Sequence, residues 1–129
     1  MFTQLNCLVV EDNPFTMIKL RKSLGSLGIT EITSATNGQD ALDVIDDIKN
    51  HPQVILLDLR MPVMGGIEFL SRLSDRKYSG SVILTSLINN ETQLAVGKLA
   101  QKYNIDLIGS LSDPTHIEEL SHLLSNFTE

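Results

Sequence analysis

The apolar run QVILLD covers residues 53–58 and is closed by an acid, Asp58. A continuous run of this length, without alternation of polar and apolar residues, is typical of a strand that is buried on both faces. Such strands occur in parallel sheets that are covered by helices on both sides. We therefore predict that residues 53–58 form a fully buried strand of a parallel sheet.

Strand-like runs and amphipathic helical segments alternate five times along the whole chain. Alternation at this spacing implies right-handed parallel crossovers and a sheet with helices on both faces. The pattern predicts a single α/β domain over residues 1–129, and a domain cut from a longer protein fits it equally well. The predicted strands are residues 5–10, 31–35, 53–58, 81–86 and 105–111, and the predicted helices are residues 13–28, 38–50, 67–75, 90–103 and 114–127.

Single residues predict where the helices begin and end and which faces they bury. Asn13 is a suitable N-cap for the first helix, Pro14 fits its first turn, and Gly28 fits its end. Gly97 is expected to weaken the fourth helix. The residues that share an apolar face are Met17, Leu20, Leu24 and Leu27 in the first helix, Ala41, Val44, Ile45 and Ile48 in the second, and Ile117, Leu120, Leu124 and Phe127 in the last.

The overall composition narrows the class of protein. A chain of 129 residues, 42% of them hydrophobic, is long enough for one domain with a sizeable core. Its apolar runs are far shorter than the ~20 residues that span a bilayer. The net charge of −6 and the pI of about 4.9 argue against nucleic-acid binding through a basic face. The lone cysteine, Cys7, favours a reducing cytoplasm, and the N-terminus lacks the basic segment of a signal peptide.

Polar residues follow the predicted strands at their carboxyl ends, where open α/β sheets bind ligands. Each has an ordinary explanation, since Asp12 could cap a helix, Asp58 could open a turn and Thr85 could be a strand residue. Their convergence on one edge indicates a site, because packed carboxylates repel one another unless a cation compensates. Oxygen ligands in a half-solvated pocket suit Mg²⁺, and a carboxylate beside that ion can accept a phosphoryl group. The residues are Glu11 and Asp12 after the first strand, Asp58 after the third, Thr85 and Ser86 at the fourth, and Ser110, Ser112 and Asp113 at the fifth.

Three segments taken together resemble the receiver domain of two-component response regulators. They are LVVEDN at residues 8–13, ILLDLRMPVMGG at 55–66 and VILTS at 82–86, in the order and at about the spacing of that family. The resemblance covers nearly the whole chain. It implies a flavodoxin-like, doubly wound (βα)5 three-layer sandwich whose five-stranded parallel sheet has the order 2-1-3-4-5, with the site between strands one and three.

The resemblance also implies a role for each residue of the site. Asp58 would be the phosphoacceptor, and Thr85 would be the switch hydroxyl that bonds a phosphoryl oxygen. Asp12 and Asp58 would bind Mg²⁺ through their carboxylates, and Arg60 would bind it through its backbone carbonyl. Glu11 would act through a metal-bound water.

The loop after the acceptor and the end of the fifth strand include departures from the family. Pro62 and Gly66 match the family's loop, but Gly65 stands where an Asp is usual, which is expected to loosen or re-aim the loop. Asp113 stands where the family has a lysine that bridges the acceptor and the phosphoryl group, and Ser110 stands where it has an aromatic switch residue. An anion in place of this cation removes a charge-assisted bond and adds repulsion.

Both departures have alternative interpretations. Asp113, followed by Pro114, is a favourable start for the last helix, because its side chain can cap free N–H groups. It could instead approach the metal and offset part of the lost coupling. Ser110 could be a plain hydroxyl at the end of a strand.

Three functions compete. The first is a receiver that gains a phosphoryl group on Asp58 and later loses it to water, without metabolic activity. The second is a phosphate-independent interaction module, indicated by Asp113 and Ser110. The third is a hydrolytic phosphotransferase with an aspartate nucleophile, which we set aside because those enzymes have an acid where Arg60 stands.

The resemblance implies partners as well. A histidine kinase or phosphotransfer protein would supply the phosphoryl group, and an unidentified effector domain or protein would respond to it. A homodimer through the last two helices and the fifth strand is a further expectation, while direct contact with nucleic acid or a membrane is not expected. The stretch YNIDLIG, residues 103–109, is also similar to receivers that are attached to cyclic-dinucleotide phosphodiesterases.

Overall fold

The computed structural model of the chain describes residues 2, 4–47, 49, 51–61, 64–86, 89–113 and 115–125. Ile48, Pro62, Pro114 and Phe127, for which the sequence predicts roles, lie outside these residues. Strands and helices alternate in the predicted order. The strands are β1 (Asn6–Val10), β2 (Glu31–Ala35), β3 (Val54–Leu57), β4 (Ser81–Leu84) and β5 (Asp106–Ser110), and the helices are α1 (Pro14–Ser26), α2 (Gly38–Asp46), α3 (Gly66–Asp75), α4 (Asn90–Lys102) and α5 (Ile117–Leu124).

The strands form one parallel sheet in the order β2-β1-β3-β4-β5, which confirms the predicted fold. Strands β1 and β3, which the predicted acidic residues follow, are neighbours in the middle of this sheet. Every residue of β3 and β4 is buried, as expected for strands with a helix layer on each side. Within the described residues, none of the helices has the length and hydropathy to cross a membrane.

Two apolar layers enclose the sheet, because successive strand residues point to opposite faces. In β1, for example, Cys7 and Val9 pack in the layer formed with α1 and α5, whereas Leu8 and Val10 pack in the layer formed with α2, α3 and α4. Burial in the first of these layers raises the pKa of the Cys7 thiol to about 12, so the thiol is protonated and inert.

Asparagine side chains start three of the helices. Asn13 accepts hydrogen bonds from two backbone N–H groups of α1, Asn37 accepts one from α2, and Asn89 accepts one from α4. The predicted cap of the first helix is thus confirmed, and so is its end, since Gly28 has a φ of 89° that favours glycine.

The last strand and the last helix differ most from the prediction. β5 contains a bulge, in which Val82 pairs with Leu107 but Ile83 pairs with Gly109. Helix α5 begins at Ile117 instead of residue 114, and its N-cap residue, His116, makes no side-chain cap. Helix α2 ends at Asp46 instead of residue 50. The residues predicted on the inner face of α5 also divide, since Leu120 and Leu124 are buried but Ile117 is 39% exposed.

Candidate functional site

The carboxyl ends of β1 and β3 bring two acids together. Val10 and Leu57 are the last residues of these strands and lie opposite each other. The chain continues the sheet bonding for one further residue on each strand, because the Asp58 N–H donates to the Val10 carbonyl at 3.1 Å and the Glu11 N–H donates to the Ala35 carbonyl at 3.0 Å. Glu11 and Asp58 are therefore held by the sheet itself and not by a free loop.

Three carboxylates form a cluster at this edge. Glu11, Asp12 and Asp58 each offer a carboxylate oxygen, and these oxygens lie within 4.8 Å of one another. Glu11 and Asp58 are buried, whereas Asp12 is exposed. The sequence predicted this convergence, and the structure brings the three residues together.

Burial and the neighbouring acids shift the pKa of Glu11. Desolvation, together with the neighbouring charges of Asp58 and Asp12, raises the pKa of its carboxyl to about 7. The Asn13 N–H opposes the shift, since it donates to Glu11 Oε2 at 3.1 Å. A bound cation would relieve this repulsion, and an all-oxygen donor set of this kind suits a hard divalent cation.

The fourth strand contributes two hydroxyls that behave differently. The Thr85 N–H donates to the Leu57 carbonyl at 2.9 Å, which places Thr85 beside the end of β3. Its Oγ1 is buried and has no hydrogen-bond partner among the described residues. The Ser86 Oγ, in contrast, accepts the Leu59 N–H at 3.1 Å and ties the loop after Asp58 to β4. An orphaned buried hydroxyl is costly, so Thr85 is prepared for an acceptor or donor that enters from the pocket.

The loop after Asp58 is held at both described ends. The Arg60 N–H donates to Asp58 Oδ1 at 2.9 Å, which forms an Asx-turn. The Gly66 N–H donates to the Leu59 carbonyl at 3.2 Å, and a Cβ on Gly66 would lie 2.7 Å from the Leu59 Cα. Gly65 has an extended backbone, and beyond its chain neighbours no described atom lies within 4 Å of its Cβ position. It serves as the N-cap residue of α3 without a side-chain bond.

The three clustered acids and the two hydroxyl residues after β4 line an open pocket of about 380 Å³ above the sheet edge. The sequence predicted most of its wall, but it missed Thr16 and assigned no role to Ser112. Thr16 lies in the first turn of α1, and its only signal in the sequence is its spacing after Asp12. The described lining residues are Glu11, Asp12, Asn13, Thr16, Asp58, Arg60, Thr85, Ser86 and Ser112.

Asp113 does not take either of the roles predicted for it. It is absent from the carboxylate cluster and from the described pocket wall, so it does not join the acids that could hold a metal ion. It is also not the cap of α5, which begins four residues later. Its Oδ1 accepts the Thr115 N–H at 2.8 Å and the Thr115 hydroxyl at 2.7 Å, and these bonds hold its pKa below the usual range. The local turn satisfies the Asp113 carboxylate before the helix starts.

The neighbouring Ser112 is also tied to an acid. Its N–H donates to Glu119 Oε1 at 2.8 Å, and its hydroxyl lies 3.3 Å from both Glu119 carboxylate oxygens. Glu119 belongs to α5, and nothing in the sequence marked it for this contact. Ser110, at the aromatic switch position, is half-buried, and its Oγ accepts a bond from Gln93 of α4 at 3.3 Å. This fits the simple interpretation of Ser110 as a hydroxyl at the end of a strand.

A comparison with known protein families agrees with this architecture. The family model of the response regulator receiver domain matches residues 7–124. The chain belongs to this family. Members of the receiver family interact with histidine kinases and effector domains, and the strand order and acidic edge of the present receiver are those expected of the family.

Individual relatives support the assignment over nearly all of the receiver. The positive alginate biosynthesis regulatory protein of Pseudomonas aeruginosa is 31% identical over 93% of the chain, and the match covers 46% of that protein. The cyclic di-GMP phosphodiesterase RocR of the same organism is 28% identical over 95% of the chain and is covered over 31% of its length. The receiver thus spans less than half the length of these curated relatives.

A solved structure shows the same fold. A response regulator from Colwellia psychrerythraea superposes with a TM-score of 0.78 at 25% identity, and the match covers 96% of the receiver and 97% of that chain. A DNA-binding response regulator of the LuxR family from Staphylococcus aureus also has this fold, with a TM-score of 0.76 at 22% identity over 95% of the receiver and 97% of that chain. One receiver fold therefore occurs in proteins of different output.

Proposed function

We propose that this receiver accepts a phosphoryl group on Asp58 in a Mg²⁺-dependent reaction and changes conformation to control an effector. One observation carries the proposal. The buried Asp58 carboxylate lies in the cluster with Glu11 and Asp12, and the unpartnered Thr85 hydroxyl lines the same pocket. A charged acceptor, a set of metal ligands and a free hydroxyl are the parts that phosphoryl transfer to an aspartate needs.

The donor set fits Mg²⁺. Asp12 and Asp58 are the direct carboxylate ligands in this proposal, Arg60 contributes its backbone carbonyl, and Glu11 acts through water. When bound, the ion neutralises charge on the phosphoryl oxygens and on the crowded carboxylates. The raised pKa of Glu11 supports this fit, because it reports uncompensated negative charge and burial at the site.

The covalent step takes place at the Asp58 carboxylate. A carboxylate oxygen forms a bond to phosphorus while the bond from phosphorus to the donor breaks, and the electron pair stays with the donor. The donor atom is an imidazole nitrogen of a phosphohistidine or an oxygen of acetyl phosphate. Water later attacks the acyl phosphate, which regenerates the carboxylate and releases inorganic phosphate.

In this proposal, the Thr85 hydroxyl binds the phosphoryl group on Asp58. Its buried Oγ1 has no partner within the described structure, so a bond to a phosphoryl oxygen satisfies it at no cost to an existing contact. Ser86, already bonded to the Leu59 N–H, is placed to transmit any movement of this segment to the loop after Asp58.

The proposal is tested by intact-mass measurement after incubation with acetyl phosphate and Mg²⁺, and separately with a phosphorylated histidine phosphotransfer protein. We expect the wild type to gain one phosphoryl group and the Asp58→Asn variant to gain none. Label on the variant would show that the acceptor is another residue.

A phosphate-independent interaction module is the second candidate. It is favoured by the described end of β5 and the loop after it, where Asp113 bonds Thr115, Glu119 holds Ser112, and the aromatic switch position is Ser110. Failure of both donors to label the wild type, with Mg²⁺ binding intact, would support this candidate.

The remaining features of the proposal concern the cellular setting. We place the receiver in the cytoplasm as a single domain over residues 1–129, with a histidine kinase or phosphotransfer protein as donor. Its effector is a further domain or a separate protein, and a second copy docked through α4, β5 and α5 is an additional candidate partner.

A further inference from the structure

The wall of the acidic pocket has a single cationic residue. Among its described lining residues, Glu11, Asp12 and Asp58 are acidic and Arg60 alone is basic. A phosphoryl group on Asp58 brings further negative charge into this surrounding. A side-chain cation that faces the phosphoryl oxygens would therefore have a large effect on how tightly the group is held.

The segment after β5 does not provide that cation. Asp113 is bonded to Thr115, and Ser112, which lines the pocket, has its hydroxyl bonded to the Glu119 carboxylate. Neither Asp113 nor Glu119 belongs to the described pocket wall, and both are acids. The compensating charge has to come from another element.

Arg60 is free to supply it. Its backbone N–H is fixed on Asp58 Oδ1 at 2.9 Å, so the residue stands directly beside the acceptor. Its side chain is exposed and makes no ion pair with any carboxylate that the structure describes. Other arginines are engaged, since Arg72 pairs with Glu68 at 3.6 Å and Arg76 pairs with Asp46 at 2.7 Å.

We propose that the Arg60 guanidinium binds the phosphoryl group on Asp58 and takes over the charge role of the missing lysine. This inference rests on the proposed function of Asp58. A guanidinium is suited to the role, because its planar N–H groups can bond two phosphoryl oxygens at once and it is always charged. The cation then approaches from the β3–α3 loop instead of from β5.

Lys19 is the strongest rival. It lies on α1, near enough to Asp113 that its charge contributes to the lowered pKa of that residue. It is not part of the described pocket wall, although Thr16, three positions earlier in α1, is a lining residue. The test therefore includes this lysine.

The test measures the affinity of the protein for beryllofluoride, an analogue of the phosphoryl group, in the presence of Mg²⁺. The variants are Arg60→Met, Arg60→Lys, Lys19→Met and, as a matched control away from the pocket, Arg72→Met. We expect Arg60→Met to weaken beryllofluoride binding by about tenfold or more, and Arg60→Lys to weaken it less. Lys19→Met and Arg72→Met are expected to stay within about twofold of the wild type.

Mg²⁺ affinity without beryllofluoride is the second readout. It should be unchanged or tighter in Arg60→Met, because the substitution keeps the backbone carbonyl and removes a positive charge from an acidic pocket. An equal loss of Mg²⁺ affinity would assign the effect to damage of the loop and would overturn the inference. So would beryllofluoride binding by Arg60→Met at the level of Arg72→Met, or a selective loss in Lys19→Met.

Failure of the proposed function gives a different result. A wild type that takes no label from either donor and binds no beryllofluoride overturns the function, and the role of Arg60 with it. A wild type that is labelled on Asp58, together with an unaffected Arg60→Met variant, overturns the role of Arg60 alone.

Discussion

At the scale of single residues, Glu11 shows how a site residue can oppose folding. Its carboxyl is buried beside two other acids, and its pKa is raised to about 7 from the ordinary value of 4.5. Between these values the folded state keeps a proton that the unfolded state has released. Stability therefore falls as pH rises through this window, and the full penalty applies above about 7.

Replacement of Glu11 by Gln is expected to remove this penalty. Gln is close in shape, and its carbonyl can still accept the Asn13 N–H, but it carries no charge. In chelator-treated protein, the variant should be more stable than the wild type at about pH 8 and nearly equal to it at about pH 4.5. Urea denaturation at both pH values measures the difference. An equal gain at the two pH values would contradict the raised pKa.

At the scale of elements, the junction between β3 and α3 depends on close approach of two backbone segments. Gly66, the first residue of α3, stands so near Leu59 that an added Cβ would lie 2.6 Å from Leu59 Cδ2 and 2.7 Å from Leu59 Cα. The second contact is with backbone and cannot be relieved by a side-chain rotation. The loop that carries Arg60 would have to move.

Gly66→Ala is expected to lower the free energy of unfolding by roughly 1–3 kcal/mol, as overpacking does. Gly65→Ala is the matched control, since beyond its chain neighbours no atom of the described residues lies within 4 Å of its Cβ position and its backbone is extended. The control should change stability by less than about 0.5 kcal/mol. Denaturant midpoints of the two variants decide the matter, and equal midpoints would show that the loop absorbs the methyl group.

The fourth helix contains a glycine in its interior. Gly97 lies within α4, and apart from the backbone of its own helix no atom of the described residues lies within 4 Å of its Cβ position. Gly97→Ala is therefore expected to raise the free energy of unfolding by about 0.5–1 kcal/mol, because alanine loses less backbone entropy in a helix. Thermal unfolding gives the sign directly. A lower midpoint would mean that α4 requires the flexibility of glycine.

At the scale of the whole molecule, the site exists only because the sheet brings distant segments to one edge. Residues near positions 11, 58 and 85 meet there through the pairing of β1 with β3 and of β3 with β4. A ligand that binds all of these segments binds the folded state and not the unfolded chain. Metal binding should therefore stabilise the entire fold.

Mg²⁺ is expected to raise the melting temperature, by the equivalent of about 2.7 kcal/mol at a hundredfold excess over its dissociation constant. The rise should be smaller at about pH 5.5 than at about pH 8, because Glu11 takes up a proton below about 7 and weakens the negative site. Thermal melts with and without Mg²⁺ at both pH values test this. A shift of the same size at both would remove Glu11 from the metal site, and the Asp58→Asn variant serves as a control.

The order of the elements and the position of the acidic edge could be read from the sequence. Continuous apolar runs, such as residues 53–58, and helical periodicity are local properties, and parallel crossovers are restricted to few topologies. Acids placed after β1 and β3 were therefore bound to meet once these strands paired. Even the N-cap of α1, Asn13, followed from neighbouring residues alone.

The properties that distinguish this site required the tertiary structure, since they depend on distances between segments that are far apart in the chain. The sequence predicted that Asp113 caps the last helix or approaches the metal. In the structure it bonds Thr115, one turn before α5. The raised pKa of Glu11 comes from desolvation, and the unpartnered hydroxyl of Thr85 comes from what surrounds it. Burial and charge are sums over every neighbouring segment, and for that reason residue types and spacings alone could not give them.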